Sequence, residues 1–176
     1  TVFLSPACAP ADMSERLLRR GFVRQDETES WMVLPDIADF RIFPPSSKIH
    51  VRRIGKQEAE TFATVFLTAF DMPVEFAPGL AQLIAPSVNL PGMVHYIAFV
   101  DEEPVGVCSL IIYRDVGIIG SAGIVPIRRG GKILNNLAFA VREEGRRHGV
   151  KTGLLQTTAG GMFERFLRIS GFKRAF

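Results

Sequence analysis

Apolar residues recur every three or four positions through Ala59, Phe62, Ala63, Phe66, Ala69 and Phe70, the spacing that lays one buried stripe along a helix. Residues 76–88 carry a second, less regular helical pattern interrupted by Pro78, Gly79 and Pro86. The period then changes. Residues 94–100 and 105–113 are apolar runs of strand length joined by the turn Asp101-Glu102-Glu103-Pro104, and residues 116–125 add a third strand, so an antiparallel meander is expected. From Gly131 the helical period returns, with Ile133, Leu134, Leu137, Ala138 and Val141 on one side and Arg142, Glu143, Arg146 and Arg147 on the other, up to Gly149. A strand over 152–156, a helix over 161–169 and a last strand opened by Gly171-Phe172 complete the pattern.

The beginning of the chain is patterned separately. Asp12, three residues ahead of Glu15, has the spacing of a capping pair, and Leu17 and Leu18 followed by Gly21 predict a short helix that stops at that glycine. Residues 22–34 read as two short strands around a polar turn. Pro35, Pro44, Pro45, Ser46 and Ser47 mark a connector, which divides the chain into an N-terminal segment, 1–47, and a main domain, 48–176. That domain opens on a strand in which Ile49, Val51 and Arg53 alternate with His50, Arg52 and Ile54. Its order, β, α, α, β, β, β, α, β, α, β, predicts an α+β fold: a mixed, mainly antiparallel sheet flanked by helices.

Charge sharpens the picture. From Arg128 onward there are eleven Lys or Arg against three Asp or Glu, +8, whereas the preceding part has ten against fifteen, −5, giving the net +3. The basic excess surrounds one stretch, Ser121 to Asn136, where an apolar strand meets a proline-broken turn carrying Arg128, Arg129, Gly130 and Gly131 and then a helix. Glycines at a helix mouth leave backbone N–H groups unshielded, and the helix dipole favours negative charge there. With Lys132 adjacent, the stretch reads as a phosphate or pyrophosphate cradle.

Other chemistries find little support. The Gly131-Lys132 pair lacks the first glycine and the following hydroxyl of a P-loop, since those places hold Pro126 and Ile133. Gly117, Gly120 and Gly123 do not fit the dinucleotide fingerprint and instead mark a close approach or a bulge. Gly120-Ser121-Ala122-Gly123 has the wrong spacing for a nucleophile elbow. His50, His95 and His148 are scattered, without paired cysteines or a carboxylate cluster, so no metal site is expected. Cys8 and Cys108 are expected as buried thiols in a reducing, cytoplasmic setting. The longest uncharged apolar run, 116–127, is shorter than the roughly 20 residues of a spanning helix, and no membrane partner is expected.

The order PVGVCSLIIYRDVGIIGSAGIVPIRRGGKILNNLAFAVREEGRRHGVKTGLLQTT, closed by Ser170-Gly171-Phe172, resembles the GNAT superfamily of acyl-CoA-dependent N-acetyltransferases over residues 48–176. The resemblance implies acetyl-CoA as co-substrate, its pyrophosphate on Arg128, Arg129, Gly130, Gly131, Lys132, Ile133 and Leu134, and its pantetheine arm beside the backbone of Ile124 and Val125. Arg129 takes the motif arginine when the helix is aligned without a gap, which puts Lys132 and Leu134 where the family prefers small residues; the alternative register on Arg128 puts Gly131 and Ile133 there. The place of the family's frequent catalytic Tyr is Leu167, so no catalytic residue is assigned. LLRRGFVRQDETESWMVL resembles the closing helix, Gly-Phe and hairpin of another such domain, as in a tandem repeat.

These features imply transfer of an acetyl group to a primary amine, entering a sparsely charged cleft along residues 62–88. Asp71, Glu75 and His95 are the titratable residues there, each expected at the surface. A homodimer is compatible with the sequence. A catalytically silent GNAT-like module would explain Lys132, Leu134 and Leu167 together. A nucleic-acid face of Arg128, Arg129, Lys132, Arg142, Arg146, Arg147 and Lys151 is the third reading, opposed by the interleaved Glu143 and Glu144.

Overall fold

The computed structural model describes residues 2, 4, 8–24 and 29–175. A short helix α1 (Met13–Arg19) precedes strand β1 (Glu29–Leu34). Then follow β2 (Ile49–Arg53), α2 (Ala59–Ala69), α3 (Ala77–Ser87), β3 (Met93–Val100), β4 (Glu103–Tyr113), β5 (Val116–Ile124), α4 (Gly131–Arg147), β6 (Thr152–Thr158), α5 (Met162–Ile169) and β7 (Lys173–Arg174). The strands form one seven-stranded sheet in the order β2-β3-β4-β5-β6-β1-β7. Every neighbouring pair is antiparallel except β5 and β6, which run parallel and are joined through α4.

Strand alternation divides the core between the two faces of the sheet. Ile97 and Val107 pack under α2 and α3 with Phe62, Ala63, Val65 and Leu67. Val94, Tyr96, Ala98 and Leu110 point the other way, toward Ile133, Leu137 and Val141 of α4. On that same side Met32, Leu34 and Leu155 meet Leu167 of α5. Of the apolar stripe predicted along α2, Ala59, Phe62, Ala63 and Ala69 are buried, whereas Phe66 is partly buried and Phe70 exposed; Val65 and Leu67, outside the stripe, are buried with it.

Several local expectations differ from the structure. The Asp12 side chain makes no cap; it pairs with Arg16 at 2.9 Å instead, while Gly21 does take the left-handed conformation, φ 84°. Among the described residues of the segment read as two strands, β1 is the strand that forms: residues 22–24 are not in a strand, and 25–28 lie outside the described residues. Pro78 and Pro86 do not break α3. Pro78 lies in the first turn, where its missing N–H has no intrahelical partner to lose, and Pro86 in the last. Cys108 is buried as expected but Cys8 is exposed.

The connector after β1 is held rather than slack. Asn135 of α4 accepts from Phe43 N–H and donates to Phe43 O, both at 2.9 Å, and Asn136 does the same for Ser46, both at 3.0 Å, while also donating to Ile49 O. At the far edge Glu164 is buried on α5, accepting from Gly160 N–H at 2.6 Å, from Arg168 and from the Ser30 hydroxyl of β1. The Gly160 N–H, then Arg168, hold its carboxyl below the usual carboxylate range. A depressed carboxylate contributes stability that is present above its unfolded pKa and lost as pH falls through the folded one. Glu164→Gln is therefore expected to lower the thermal midpoint at pH 7 and to shrink the difference from the native protein as pH falls below the carboxylate range, read by calorimetry at several pH values.

Candidate functional site

Strands β5 and β6 pair in parallel only from Val116–Thr152 to Ile119–Leu155. Beyond that, β5 stays on β4 through Ile124 and β6 stays on β1 through Thr158, so the two strands diverge and open a wedge between Gly120–Ile124 and Gln156–Thr158. The cause is visible in the β4–β5 register. Val107 pairs with Gly123 and Ser109 with Gly120, so the single residue Cys108 faces two, Ser121 and Ala122, with Ser121 at φ 50°. Such a bulge bends the strand and increases its twist. The Val125 N–H bonds Val105 O at 3.0 Å, facing β4. By alternation Ile124 turns its N–H and C=O toward the wedge. Of the two strand residues expected beside a bound chain, Ile124 has its backbone N–H available and Val125 does not.

The wedge leads to the start of α4. Gly130 is its N-cap in extended backbone and supplies no capping side chain, so the N–H groups of the first turn have no side-chain acceptor there. A Cβ on Gly131 would meet nothing within 4 Å, and one on Gly130 only Arg128 O at 3.8 Å. The helix mouth is therefore open, with room for an anion on its backbone donors. The cations around it are arranged less simply than the sequence suggests. The guanidinium of Arg128 pairs with Glu103 at 2.8 Å, and that of Arg129 donates to Ala69 O at the end of α2 at 3.0 Å. The Lys132 side chain is exposed and makes no ion pair among the described residues. Ile133 is buried in the core under α4.

Leu134 does not stand over the helix mouth. It lines an apolar slot of about 30 Å³ with Cys108, Ala122, Leu137, Phe163 and Leu167, between the bulge, α4 and α5. This slot is the inner end of the wedge, and it has the volume of roughly one water, so an inserted chain has to part its walls. Burial pushes the Cys108 thiol up to about 12. Alkylation of Cys108 in the native protein at pH 8 is accordingly expected to be at least about a hundredfold slower than in the denatured chain, because only the thiolate reacts; peptide mapping after timed labelling checks this. Leu167 points into the core, 2% exposed. Neither phenol of the chain reaches the wedge: Tyr96 donates to Glu144 at 3.0 Å, and Tyr113 lies at the opposite end of the β4–β5 pair.

On the other face of the sheet α2 ends against β5. A Cβ on Gly123 would come within 2.8 Å of Ala69 Cβ and 2.9 Å of the Phe70 ring, so glycine here permits the close approach that the sequence pattern suggested. Gly117 likewise sits against Val150, at 3.0 Å, whereas Gly120 faces open space. Phe70, Met72, Val74 and Phe76 are exposed along the turn between α2 and α3. Asp71, at φ 58°, and Glu75 lie exposed in that same turn. His95 is not a surface residue: it is 5% exposed on β3, with Nδ1 2.7 Å from the Ser109 hydroxyl and Nε2 2.8 Å from that of Ser87. The Phe62 ring meets it edge-on at 5.2 Å. Burial alone pulls its pKa below the ordinary imidazole value.

A larger concavity of about 680 Å³ lies elsewhere, between β2, the connector and the second half of α4. Its floor is Glu144, 1% exposed, which accepts from Tyr96, Arg147, Arg53 and His148. Arg142 and Arg146 pair with Glu143. Five of the seven cations of the supposed nucleic-acid face, Arg128, Arg129, Arg142, Arg146 and Arg147, thus have partners within the chain. Among the described residues no three His, Cys, Asp or Glu side chains gather as metal ligands, and no helix is long and apolar enough to cross a membrane.

Periodicity could not have found Asn135, Asn136, Glu144 and Glu164, since each occupies a helical position where a polar residue reads as solvent-facing. The signal for the bulge was present in Gly120-Ser121-Ala122-Gly123, a break in an otherwise β-branched run.

No family model matches the sequence, and no curated protein does. Solved structures do. A GCN5-related N-acetyltransferase from Kribbella flavida matches at TM-score 0.63 and 15% identity, over 93% of this chain and 60% of that one. A tandem GNAT protein from the clavulanic acid biosynthesis pathway matches at TM-score 0.66 and 16% identity, over 99% of this chain and 58% of that one. A predicted acetyltransferase from Clostridium acetobutylicum, solved with acetyl-CoA, matches at TM-score 0.55 and 12% identity, over 67% of this chain and 88% of that one. This chain therefore spans about three fifths of the length of the first two.

Proposed function

We propose that this chain, which has the fold of the GCN5-related N-acetyltransferases, binds acetyl-CoA in the β5–β6 wedge and transfers its acetyl group to a primary amine. The observation that carries the reading is the wedge itself, a parallel strand pair splayed by a bulge and ending at an uncapped helix N-terminus. The residues present fit the donor. The first-turn N–H groups of α4 face the pyrophosphate, Lys132 supplies a free cation beside it, and Ile124 offers backbone pairing to the pantetheine arm. The thioester then lies near Ser121 and Ala122, where a bulge N–H can stabilise the developing oxyanion. The amine nitrogen forms its bond to the carbonyl carbon as the carbon–sulfur bond breaks, and the thiolate leaves. Positioning supplies most of what this reaction needs, with a route for the amine proton.

The division at residue 47 is part of the proposal: 48–176 contains both walls of the wedge, and the first 47 residues contribute β1 beside β6. The tandem architecture of one neighbour is in keeping with an N-terminal segment that is the tail of a preceding repeat. The exposed apolar side chains of the α2–α3 turn favour an acceptor with an apolar part next to its amine. A reducing cytoplasmic setting goes with the buried Cys108 thiol.

A second reading, a domain that binds the donor without turning it over, is favoured by the narrow slot and by Leu167 in place of a phenol. Titration calorimetry with acetyl-CoA, followed by thiol release with a panel of primary amines, tests both. Heat with thiol release supports the transferase, heat without it the silent domain, and no heat at millimolar acetyl-CoA excludes both.

A further inference from the structure

The hydrogen bonds around His95 fix its tautomer. The Ser87 hydroxyl donates its one proton to Ile84 O at 2.6 Å, so toward His95 Nε2 it can only accept, at 2.8 Å. Nε2 therefore carries the proton. Nδ1 is left with its lone pair aimed at the Ser109 hydroxyl, 2.7 Å away, which must donate to it. The result is a hydroxyl, a base and an orienting group in line, an arrangement suited to withdrawing a proton through the hydroxyl.

Its location gives the arrangement a use. Ser109 is the last β4 residue paired in register before the bulge, directly across from Gly120. Residues opposite one another in an antiparallel pair share a face, and the Cβ direction of Gly120 is open for 4 Å. Ser109 is otherwise buried, 3% exposed, so this gap over Gly120 is where an amine would come beside its hydroxyl, with the splayed backbone of Ser121 and Ala122 next along the strand. Any larger residue at 120 would fill it.

We propose that Ser109 and His95 form the proton route for the acceptor amine, Ser109 touching the amine and His95 acting through it as the positioning base. This rests on the acetyltransferase reading above. As the amine nitrogen bonds the carbonyl carbon, its proton passes to the Ser109 oxygen while the Ser109 proton passes to Nδ1. The carbon–sulfur bond breaks and the thiolate takes a proton from water. The imidazolium then gives its Nδ1 proton back through the Ser109 hydroxyl to water, which restores the Nε2-protonated ring held by Ser87. Around the ring stand Phe62 of α2, Ser87 of α3 and Ser109 of β4, with no charged group contributing to its titration.

Measurements on the full chain test this. Nitrogen NMR of the native protein should show neutral His95 protonated at Nε2; an Nδ1-protonated or charged ring at pH 7 overturns the geometry. With an amine that supports thiol release, Ser109→Ala and His95→Gln should each lower kcat by about a hundredfold, keep the native affinity for acetyl-CoA and the native circular dichroism, and abolish the acid limb of the pH–kcat profile. Variants that stay folded, bind acetyl-CoA and keep kcat within about threefold, with an unchanged pH profile, overturn the proton route while leaving the transferase reading intact. If His95→Gln does not fold, Ser109→Ala alone decides. Acetylation of Ser109 by acetyl-CoA without amine also overturns it, since the hydroxyl is then a nucleophile. Absence of calorimetric heat in the native protein removes the transferase reading, and the route with it.

Discussion

Gly131→Asp is expected to weaken acetyl-CoA binding by about a hundredfold while leaving the thermal midpoint unchanged or slightly raised. The two effects have opposite signs for the same physical reason. A carboxylate in the first turn of α4 meets the positive end of the helix dipole, which stabilises the free protein by about 0.3–1 kcal/mol, and it replaces a glycine at a helical position. Nothing obstructs it, since a Cβ there has no neighbour within 4 Å. The same carboxylate occupies the space and the potential that the pyrophosphate requires. At a separation of about 5 Å and an effective dielectric of about 20, two like charges repel by about 3 kcal/mol, which corresponds to about two powers of ten in affinity. Calorimetry at low and high salt checks the assignment, because a large part of the loss should be screened. Native affinity in a folded Gly131→Asp protein would mean that the donor does not lie on α4. Loss of both folding and binding would mean that the glycine serves the structure.

The glycines at the helix mouth were legible in sequence because a helix start is a local event: apolar period, glycine, and no capping side chain in one short window. The meander and the βαβ closing unit were legible for the same reason, their period changing from 2 to 3.6 at defined points. What the sequence could not show was where charges go after folding. Arg128 and Arg129 read as two cations aimed at one anion, yet Arg128 is drawn across to Glu103 and Arg129 to the carbonyl end of α2, partners 25 and 60 residues away in the chain. Leu134 read as part of the pyrophosphate cradle because its position was counted along a motif. In the helix it turns inward to the slot. His95 read as a surface residue because a titratable side chain is ordinarily solvated; its two serine partners, on α3 and β4, are brought to it only by folding. Long-range polar pairing leaves no period, so it is lost to a one-dimensional reading. The place of β1 between β6 and β7 was beyond reach for a related reason: both partners lie more than a hundred residues later.

Phe62→Ala is expected to have the largest effect on stability, about 3–5 kcal/mol. Phe62 is 2% exposed and lies on the stripe of α2 that covers Ile97 and Val107, the part of the sheet next to the site. Chemical denaturation should show the midpoint falling with the slope unchanged, the signature of a lost contact rather than of an altered denatured state. A loss below about 1 kcal/mol would mean that α2 does not pack on β3 and β4 as described. The substitution should also alter the pH dependence. The pKa of His95 is lowered by burial from an ordinary 6.5, so between the folded and unfolded values the unfolded chain binds the extra proton. The native protein therefore loses stability as pH falls below about 6.5 toward the folded value. Removing the ring that meets His95 edge-on admits water beside the imidazole, which brings its pKa back toward the ordinary value. The acid slope of stability should then flatten in Phe62→Ala, and the acid limb of any acetyl transfer should move upward with it.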